Sequence, residues 1–242
     1  MMGECMKAAR EGDAGASYGG EFSVDQGKIG AQGPSRRLVL ACIGAMATLR
    51  TRMARAAGPL RLVALGDSLT AGFGLPQDAA FPFVLQHALS AGGRMVAIAN
   101  AGVSGDTAED GLARLDWSVP QDTRGVILEL GANNMLRGLD PTRTQKALGS
   151  IIETLLDRKI AVLLCGMYAA PNLGAEYTKS FNDIYPRLAD AYKLTLYPFF
   201  LDGVAGNPSL TLPDSLHPNV DGVKVIVSRI LPTMESFIGQ IS

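Results

Sequence analysis

Short apolar runs alternate with longer segments of helical periodicity from residue 60 to the end of the chain. The apolar runs are typical of buried parallel strands and occupy residues 60–65, 95–99, 125–130, 160–165 and 194–197. Amphipathic spacing predicts helices over residues 81–91, 108–116, 142–159, 175–192 and 220–238. This alternation predicts an α/β fold of three layers, in which helices cover both faces of a five-stranded parallel sheet.

The first 56 residues lack this pattern. Residues 1–34 are rich in Gly, Ser, Ala and charged residues, which predicts a disordered extension. Residues 35–56 resemble an export signal, because two arginines precede a short apolar run and Ala54-Arg55-Ala56 offers small residues at a cleavage position. The apolar run is shorter than the roughly 20 residues that span a bilayer. We therefore expect residues 57–242 to form a single domain that is periplasmic or secreted, or cytoplasmic if the segment is not used.

The composition of the chain argues against nucleic-acid binding and against a metal site. The chain is 47% hydrophobic and 19% charged, which suits a globular core. Residues 57–242 carry 14 basic and 18 acidic side chains, so nothing suggests nucleic-acid binding. Two distant histidines supply few metal ligands, and no metal site is expected. Cys165 falls within a predicted strand and is expected to be a buried small hydrophobe, whereas Cys5 and Cys42 precede the domain. Composition leaves the oligomeric state open.

Polar residues follow the predicted strands at the points where chemistry is expected in such folds. Gly66-Asp67-Ser68 follows the first strand, residues 100–107 follow the second, and residues 131–135 follow the third. A further polar turn, residues 214–219, precedes the last helix. Because the carboxyl ends of parallel strands meet at one edge of the sheet, we expect these four segments to lie close together.

Three of these residues can form a nucleophilic site. The Ser68 hydroxyl needs a base to take its proton, and a base works best when a third group orients it. His217 lies three residues after Asp214, so one tight turn can bring that carboxylate to the imidazole. The alternative is a helix-entry turn in which the Asp and Asn side chains only cap backbone donors. The other histidine, His87, is expected to be a surface or half-buried residue of a helix.

Two further residues can stabilise the oxyanion that forms when a serine attacks an ester. Gly105 has no side chain to block its N–H group, and Asn133 offers an amide at the end of the third strand. The alternative for both is turn chemistry, with glycine taking a positive φ and asparagine ending a helix.

Taken together, these segments resemble the sequence blocks of the GDSL, or SGNH, hydrolases. The four blocks are residues 66–69, 100–107, 130–134 and 214–219, and residues 111–115, 136–138 and 184–186 are most similar to the thioesterase I, lysophospholipase and arylesterase branch. The resemblance implies the flavodoxin-like SGNH architecture and a triad of Ser68, His217 and Asp214. It also implies an oxyanion hole formed by the N–H groups of Ser68 and Gly105 and the side chain of Asn133, and no cofactor.

One position departs from the family pattern. The third block usually reads Gly-x-Asn-Asp, and here Asn134 replaces the aspartate. An amide can keep only part of the hydrogen bonding of a carboxylate, so we expect a looser Asn133 loop in an enzyme that is still active.

The sequence therefore predicts a serine esterase that forms an acyl-enzyme with acyl or aryl esters, and by extension with acyl thioesters or lysophospholipids. Apolar residues in the loops are candidates for contact with an acyl chain, namely Met135, Leu136, Met167, Tyr168, Pro171 and Leu173. The alternatives are a non-catalytic flavodoxin-like binding protein and a carbohydrate O-acetylesterase of the same family. An ordinary α/β-hydrolase is excluded because position 70 is a threonine where Gly-x-Ser-x-Gly needs glycine.

Overall fold

A five-stranded parallel sheet lies at the centre of residues 58–241, the part of the chain that the computed structural model describes. The strands are, in chain order, β1 (Leu60–Gly66), β2 (Val96–Gly102), β3 (Gly125–Glu129), β4 (Ala161–Cys165) and β5 (Thr195–Tyr197). They lie side by side in the order β2-β1-β3-β4-β5, and every neighbouring pair is parallel. The predicted sheet is confirmed in strand number and direction.

Nine α-helices accompany the sheet in the described residues. They are α1 (Ser68–Ala71), α2 (Phe81–Ala91), α3 (Ala108–Ala113), α4 (Leu115–Ser118), α5 (Ala132–Leu136), α6 (Pro141–Asp157), α7 (Ala175–Asn182), α8 (Ile184–Tyr192) and α9 (Val220–Ile241). Short 3₁₀ turns occupy Gln77–Ala79 and Pro171–Leu173. None of these helices combines the length and apolar character that a bilayer span requires.

The strand order fixes where the helices lie. The chain moves from β1 to β2 in one direction and then to β3, β4 and β5 in the other. Right-handed crossovers therefore place α2 on one face of the sheet and α3, α6 and α8 on the opposite face. Contacts agree with this arrangement, because α9 packs on α2 while α6 packs on α3 and α8. The order reverses between β1 and β3, and ligands of such folds bind in the crevice at that point.

Helix α6 shows how the sequence pattern builds the core. Asp140 caps the helix by accepting a hydrogen bond from Thr142 N, and Pro141 occupies the first helical position. The apolar stripe of this helix faces the sheet, and its members are fully buried: Leu148, Ile151, Ile152 and Leu155. Each such side chain contributes about 1.5–3 kcal/mol by leaving water.

The structure differs from the prediction mainly at element ends. Strand β2 runs on to Gly102, because its ladder with β1 continues to the Gly66–Gly102 pair. The helix predicted over 175–192 is two helices, since Pro186 cannot donate to the carbonyl of Asn182 and its ring would crowd that group. The helix predicted over 108–116 likewise divides at Arg114. The short helices α1 and α5 were not predicted.

The predictions for the first 56 residues lie outside the described residues. These are the disordered extension over 1–34, the export segment over 35–56, and the positions of Cys5 and Cys42.

Candidate active site

Ser68 lies at the first position of α1, directly beyond the end of β1. Asp67 is the N-cap residue of this helix, and its Oδ1 accepts a hydrogen bond from Leu69 N at 3.0 Å. The serine side chain therefore stands at the sheet edge on a capped helical turn. Ser68 is 8% exposed, so its hydroxyl is reached from the cavity described below rather than from open solvent.

The polar turn before α9 brings His217 to this serine. The distance between His217 Nε2 and Ser68 Oγ is 2.8 Å, and that between His217 Nδ1 and Asp214 Oδ2 is 2.7 Å. The other carboxylate oxygen of Asp214 accepts hydrogen bonds from Leu216 N at 2.9 Å and His217 N at 3.0 Å. Oδ1 of Asp214 therefore caps the backbone of the turn, while Oδ2 orients the imidazole. The carboxylate fills both of the roles that the sequence left as alternatives.

The turn is held from both sides. Leu212 N donates to the carbonyl oxygen of His217 at 2.7 Å. Asn219 Oδ1 accepts hydrogen bonds from Asp221 N and Gly222 N at the start of α9, as the capping alternative expects of the asparagine. These bonds fix the His217 backbone relative to α9, whose apolar face is buried.

The Asp214 carboxylate is charged at neutral pH. The backbone N–H groups of His217 and Leu216, followed by the His217 side chain, hold the pKa of its carboxyl at about 2. A charged carboxylate beside Nδ1 favours the tautomer with its proton on Nδ1, which leaves Nε2 free to accept the serine proton.

The three predicted oxyanion donors lie around Ser68. Asn133 Nδ2 donates to the carbonyl oxygen of Asp106 at 3.0 Å and to Asp67 Oδ2 at 3.2 Å, so this amide bridges the residues that adjoin Gly105 and Ser68. Gly105 has a φ of 89°, a conformation that favours glycine. In the described part of the chain, the N–H groups of Ser68 and Gly105 donate to no protein acceptor and are free to bind a ligand oxygen.

Asn134, the residue that departs from the family pattern, is fully buried. Its Oδ1 accepts a hydrogen bond from Ala108 N at 2.8 Å, and its Nδ2 donates to Glu109 Oε2 at 2.7 Å. Both polar atoms of the amide are therefore satisfied. These contacts argue for a held Asn133 loop rather than the looser one that the sequence suggested.

Arg114 joins two of the site segments, a role that the sequence did not reveal. Its Nε donates to Asp106 Oδ2 at 2.6 Å, its Nη2 to the Gly66 carbonyl oxygen at 2.9 Å, and its Nη1 to Ser118 Oγ at 3.0 Å. The side chain is only 7% exposed. A buried guanidinium thus ties the end of β1 to the loop that carries Gly105.

A buried pair of carboxyl groups lies beneath the serine turn and was also missed. Glu129 Oε2 accepts a hydrogen bond from Thr70 Oγ1 at 2.7 Å and lies 3.4 Å from Asp67 N. Burial raises the pKa of Asp67 to about 6, against the opposing effect of the Leu69 N–H and His217. Burial, and then the charge of Asp67, raise the pKa of Glu129 well above its usual value. The available sequence signal was a glutamate within an apolar strand.

A cavity of about 480 Å³ opens beside Ser68 and His217. Apolar side chains dominate its lining, including five of the six predicted acyl-contact residues: Met135, Leu136, Met167, Tyr168 and Pro171. Leu173 does not line it, because it ends the 3₁₀ turn and packs against the core on the side of a separate groove beside Tyr177. The stacked rings of Tyr168 and Phe199, whose centroids are 4.7 Å apart, contribute to one wall.

The sequence analysis also predicted the surroundings of His87 and Cys165. His87 lies exposed on α2, and Cys165 is a buried free thiol in β4. Both predictions are confirmed.

Comparison with known proteins agrees with the motif analysis. Residues 64–225 match the family model described as GDSL-like lipase/acylhydrolase. The chain is 40% identical over 159 residues to an arylesterase of Vibrio mimicus, covering 65% of this chain and 80% of that relative. It is 34% identical over 185 residues to thioesterase 1/protease 1/lysophospholipase L1 of Escherichia coli K12, covering 76% of this chain and 88% of that relative. The crystal structure of AlinE4, an SGNH-hydrolase family esterase, is 43% identical and covers 74% of this chain and 97% of its own, with a TM-score of 0.63.

Proposed function

Because this chain belongs to the GDSL-like lipase/acylhydrolase family, we propose that it is a serine esterase that hydrolyses acyl and aryl esters through an acyl-enzyme on Ser68. The observation that carries the proposal is the unbroken hydrogen-bonded series from Asp214 through His217 to Ser68 Oγ. Family membership also favours this enzyme over a non-catalytic flavodoxin-like binding protein.

In the acylation step, Ser68 Oγ attacks the ester carbonyl carbon while its proton moves to His217 Nε2. The carbonyl oxygen gains the negative charge and accepts hydrogen bonds from the N–H groups of Ser68 and Gly105. Asn133 Nδ2 becomes the third donor by exchanging its 3.2 Å bond to Asp67 Oδ2 for one to this oxygen. The C–O bond to the leaving group then breaks, and His217 returns the proton to the departing alcohol. In deacylation, His217 takes a proton from the water that attacks the acyl carbon. The bond between that carbon and Ser68 Oγ then breaks, His217 returns the proton to Oγ, and the acid leaves.

The cavity supports an apolar acyl group as substrate. Methionine, leucine and aromatic side chains line it beside the nucleophile, and such a surface binds hydrocarbon by excluding water. A carbohydrate O-acetylesterase would need polar partners for sugar hydroxyls, which this lining scarcely provides. Acyl thioesters and lysophospholipids share the apolar acyl group and are the second substrates to test. Discrimination per methylene is weak in such pockets, so we expect broad chain-length tolerance.

The proposed activity is tested with p-nitrophenyl esters and two single variants. We expect Ser68→Ala to abolish turnover and Asp214→Asn to lower kcat about 10⁴-fold, because the amide favours the wrong imidazole tautomer. Ser90→Ala, at an exposed serine of α2, and Asp221→Asn, at an exposed aspartate of α9, are the matched controls. Full activity of Ser68→Ala would refute the proposal.

The cavity is tested separately with a series of acyl chains. Tyr168→Ala removes one of the two stacked rings in this wall of the cavity. A long acyl chain then loses apolar contact, so kcat/KM should fall roughly tenfold for octanoyl esters and little for acetyl esters. Trp117→Ala, at an exposed aromatic residue that does not line the cavity, serves as the control. An equal fall for every chain length would show that Tyr168 does not contact the acyl chain.

The protein is further proposed to be exported and cleaved within residues 35–56, which leaves a single hydrolase domain over residues 57–242. The twin arginines and the Ala54-Arg55-Ala56 sequence support this proposal. N-terminal sequencing of the protein recovered from a periplasmic or culture fraction should begin at Ala57. Recovery of the full-length chain from the cytoplasm alone would contradict it.

A further inference from the structure

Phe73 is a large apolar residue with no evident role in the core. It is 48% exposed and lies between Gly72 and Gly74, whose φ values are 83° and 73°. Left-handed glycines on both sides of Phe73 turn the chain sharply, and its phenyl ring is left about half exposed. Exposing an aromatic ring on such a loop brings no gain from burial, so its position calls for another explanation.

The ring of Phe73 lies against the imidazole of His217. The ring centroids are 4.4 Å apart and the planes are inclined by 34°. Phe73 does not line the cavity beside Ser68, whereas His217 does. The phenyl ring therefore contacts the imidazole from outside the cavity and leaves the substrate side open.

The backbone of Phe73 is fixed to the nucleophile. Phe73 N donates to the carbonyl oxygen of Ser68 at 3.1 Å, and Gly72 N donates to the same oxygen at 3.1 Å. The residue that contacts the base is thus anchored on the residue that carries the hydroxyl. The relative position of Ser68 and His217 is set on one side by their own hydrogen bond and on the other by Phe73.

We propose that Phe73 is a positioning residue for proton transfer, whose aromatic face holds the His217 imidazole toward Ser68 and stabilises the imidazolium that forms in each half-reaction. This inference rests on the proposed function. The ring exchanges no atom or proton, since the proton moves only between Ser68 Oγ, His217 Nε2, the leaving group and the attacking water. An aromatic face attracts a cation through its quadrupole, and an aliphatic side chain of similar size does not.

The kinetic test compares aromatic and aliphatic replacements in the full-length protein. With p-nitrophenyl acetate, Phe73→Leu and Phe73→Ala should lower kcat about three- to tenfold with KM unchanged, while Phe73→Tyr should retain kcat within about twofold. Both the burst and the steady-state rate should fall, since the imidazolium forms in acylation and deacylation. Phe83→Leu, at a phenylalanine of α2 that is 49% exposed, should leave both rates unchanged.

A second measurement reports on the ring contact without requiring turnover. The chain has two histidines, so a His87→Gln variant assigns the Hε1 proton of His217 in a ¹H–¹³C spectrum. Its chemical shift should carry a ring-current contribution from Phe73, which Phe73→Leu removes and Phe73→Tyr keeps.

Wild-type kcat in Phe73→Leu, or an effect on KM alone, would overturn the proposal. Equal losses in Phe73→Tyr and Phe73→Ala would show that the aromatic face is not responsible. An unchanged His217 signal in Phe73→Leu would show that the rings are not in contact. A wild-type protein without esterase activity would instead refute the proposed function, so the two failures are distinguishable.

Discussion

Asn134 shows how one residue is fitted to its neighbours. Its amide nitrogen donates to Glu109 Oε2, and Glu109 also pairs with Arg143 at 3.2 Å. Burial opposes the charge of Glu109, but the hydrogen bond from Asn134 and the nearby Arg143 lower its pKa overall. An amide at position 134 can donate to this carboxylate, whereas a carboxylate at the same place can only repel it.

We therefore predict that restoring the family aspartate lowers stability here. Asn134→Asp sets two carboxylates within hydrogen-bond distance of each other and should cost about 1–3 kcal/mol of unfolding free energy at neutral pH. Urea unfolding measures this loss. Adding Glu109→Gln should recover most of it, and Asn172→Asp, at an exposed position of the 3₁₀ turn Pro171–Leu173, should change little. If Asn134→Asp is as stable as the parent, the amide–carboxylate contact is not the reason for the asparagine.

At the scale of elements, the site depends on how β1 and the loop after β2 are joined. Arg114 makes that connection from the break between α3 and α4, through its bonds to Gly66 and Asp106. The Asp106 carboxylate depends on this side chain for its ion pair, whereas the Gly66 carbonyl oxygen also accepts a hydrogen bond from Val103 N at 3.1 Å.

Removing this guanidinium should be costly. Arg114→Met is expected to lower the free energy of unfolding by about 3–5 kcal/mol, because it leaves the Asp106 carboxylate, whose side chain is only 13% exposed, without its partner. The matched variant Arg143→Met breaks an ion pair whose arginine is 61% exposed and should cost less than about 1 kcal/mol. Denaturant titration of the two variants compares them directly, and equal losses would contradict a special role for Arg114.

At the scale of the whole molecule, the buried carboxyl groups make stability depend on pH. The pKa of Asp67 is about 6 in the folded protein and 3.8 in its ordinary state, so the unfolded chain loses this proton first. Its contribution to stability therefore falls as pH rises from 3.8 to 6, by on the order of 3 kcal/mol. Asp214 acts oppositely, because its pKa of about 2 makes its contribution fall as pH drops below 3.8.

Urea unfolding of the parent and of Asp67→Asn between pH 4 and pH 7 tests the contribution of Asp67 to this pH dependence. The variant alters hydrogen bonds at every pH, so the informative quantity is the change in the stability difference with pH. Relative to the parent, Asp67→Asn should gain stability as pH rises to about 6 and then level off. A constant difference would show that Asp67 ionises normally in the folded protein.

Much of this arrangement could be predicted from sequence because it is encoded locally. Apolar runs gave the strands, and the residues that follow them, Ser68 and Asn133 among them, meet at one edge because parallel strands end there. Asp214 and His217 are three residues apart, so a single turn joins them.

Other features depend on contacts between distant segments. Phe73 reaches His217, and Glu129 supports Thr70, only after the sheet has formed, and no local pattern shows these pairings. The prediction for Leu173 was wrong for a different reason, because its side-chain direction is set by a 3₁₀ turn that the sequence analysis did not predict. The division between α7 and α8 was predictable in principle from Pro186.

The most direct measurement is the mass of the full-length protein after reaction with a fluorophosphonate. An activated Ser68 displaces fluoride and forms a phosphonyl ester, because the Oγ–P bond forms as its proton passes to His217. We predict one adduct per chain, located on the peptide that contains Ser68, absent in Ser68→Ala and at least about 100-fold slower in His217→Ala. No adduct on the native protein, or the same adduct in Ser68→Ala, would contradict Ser68 as the nucleophile.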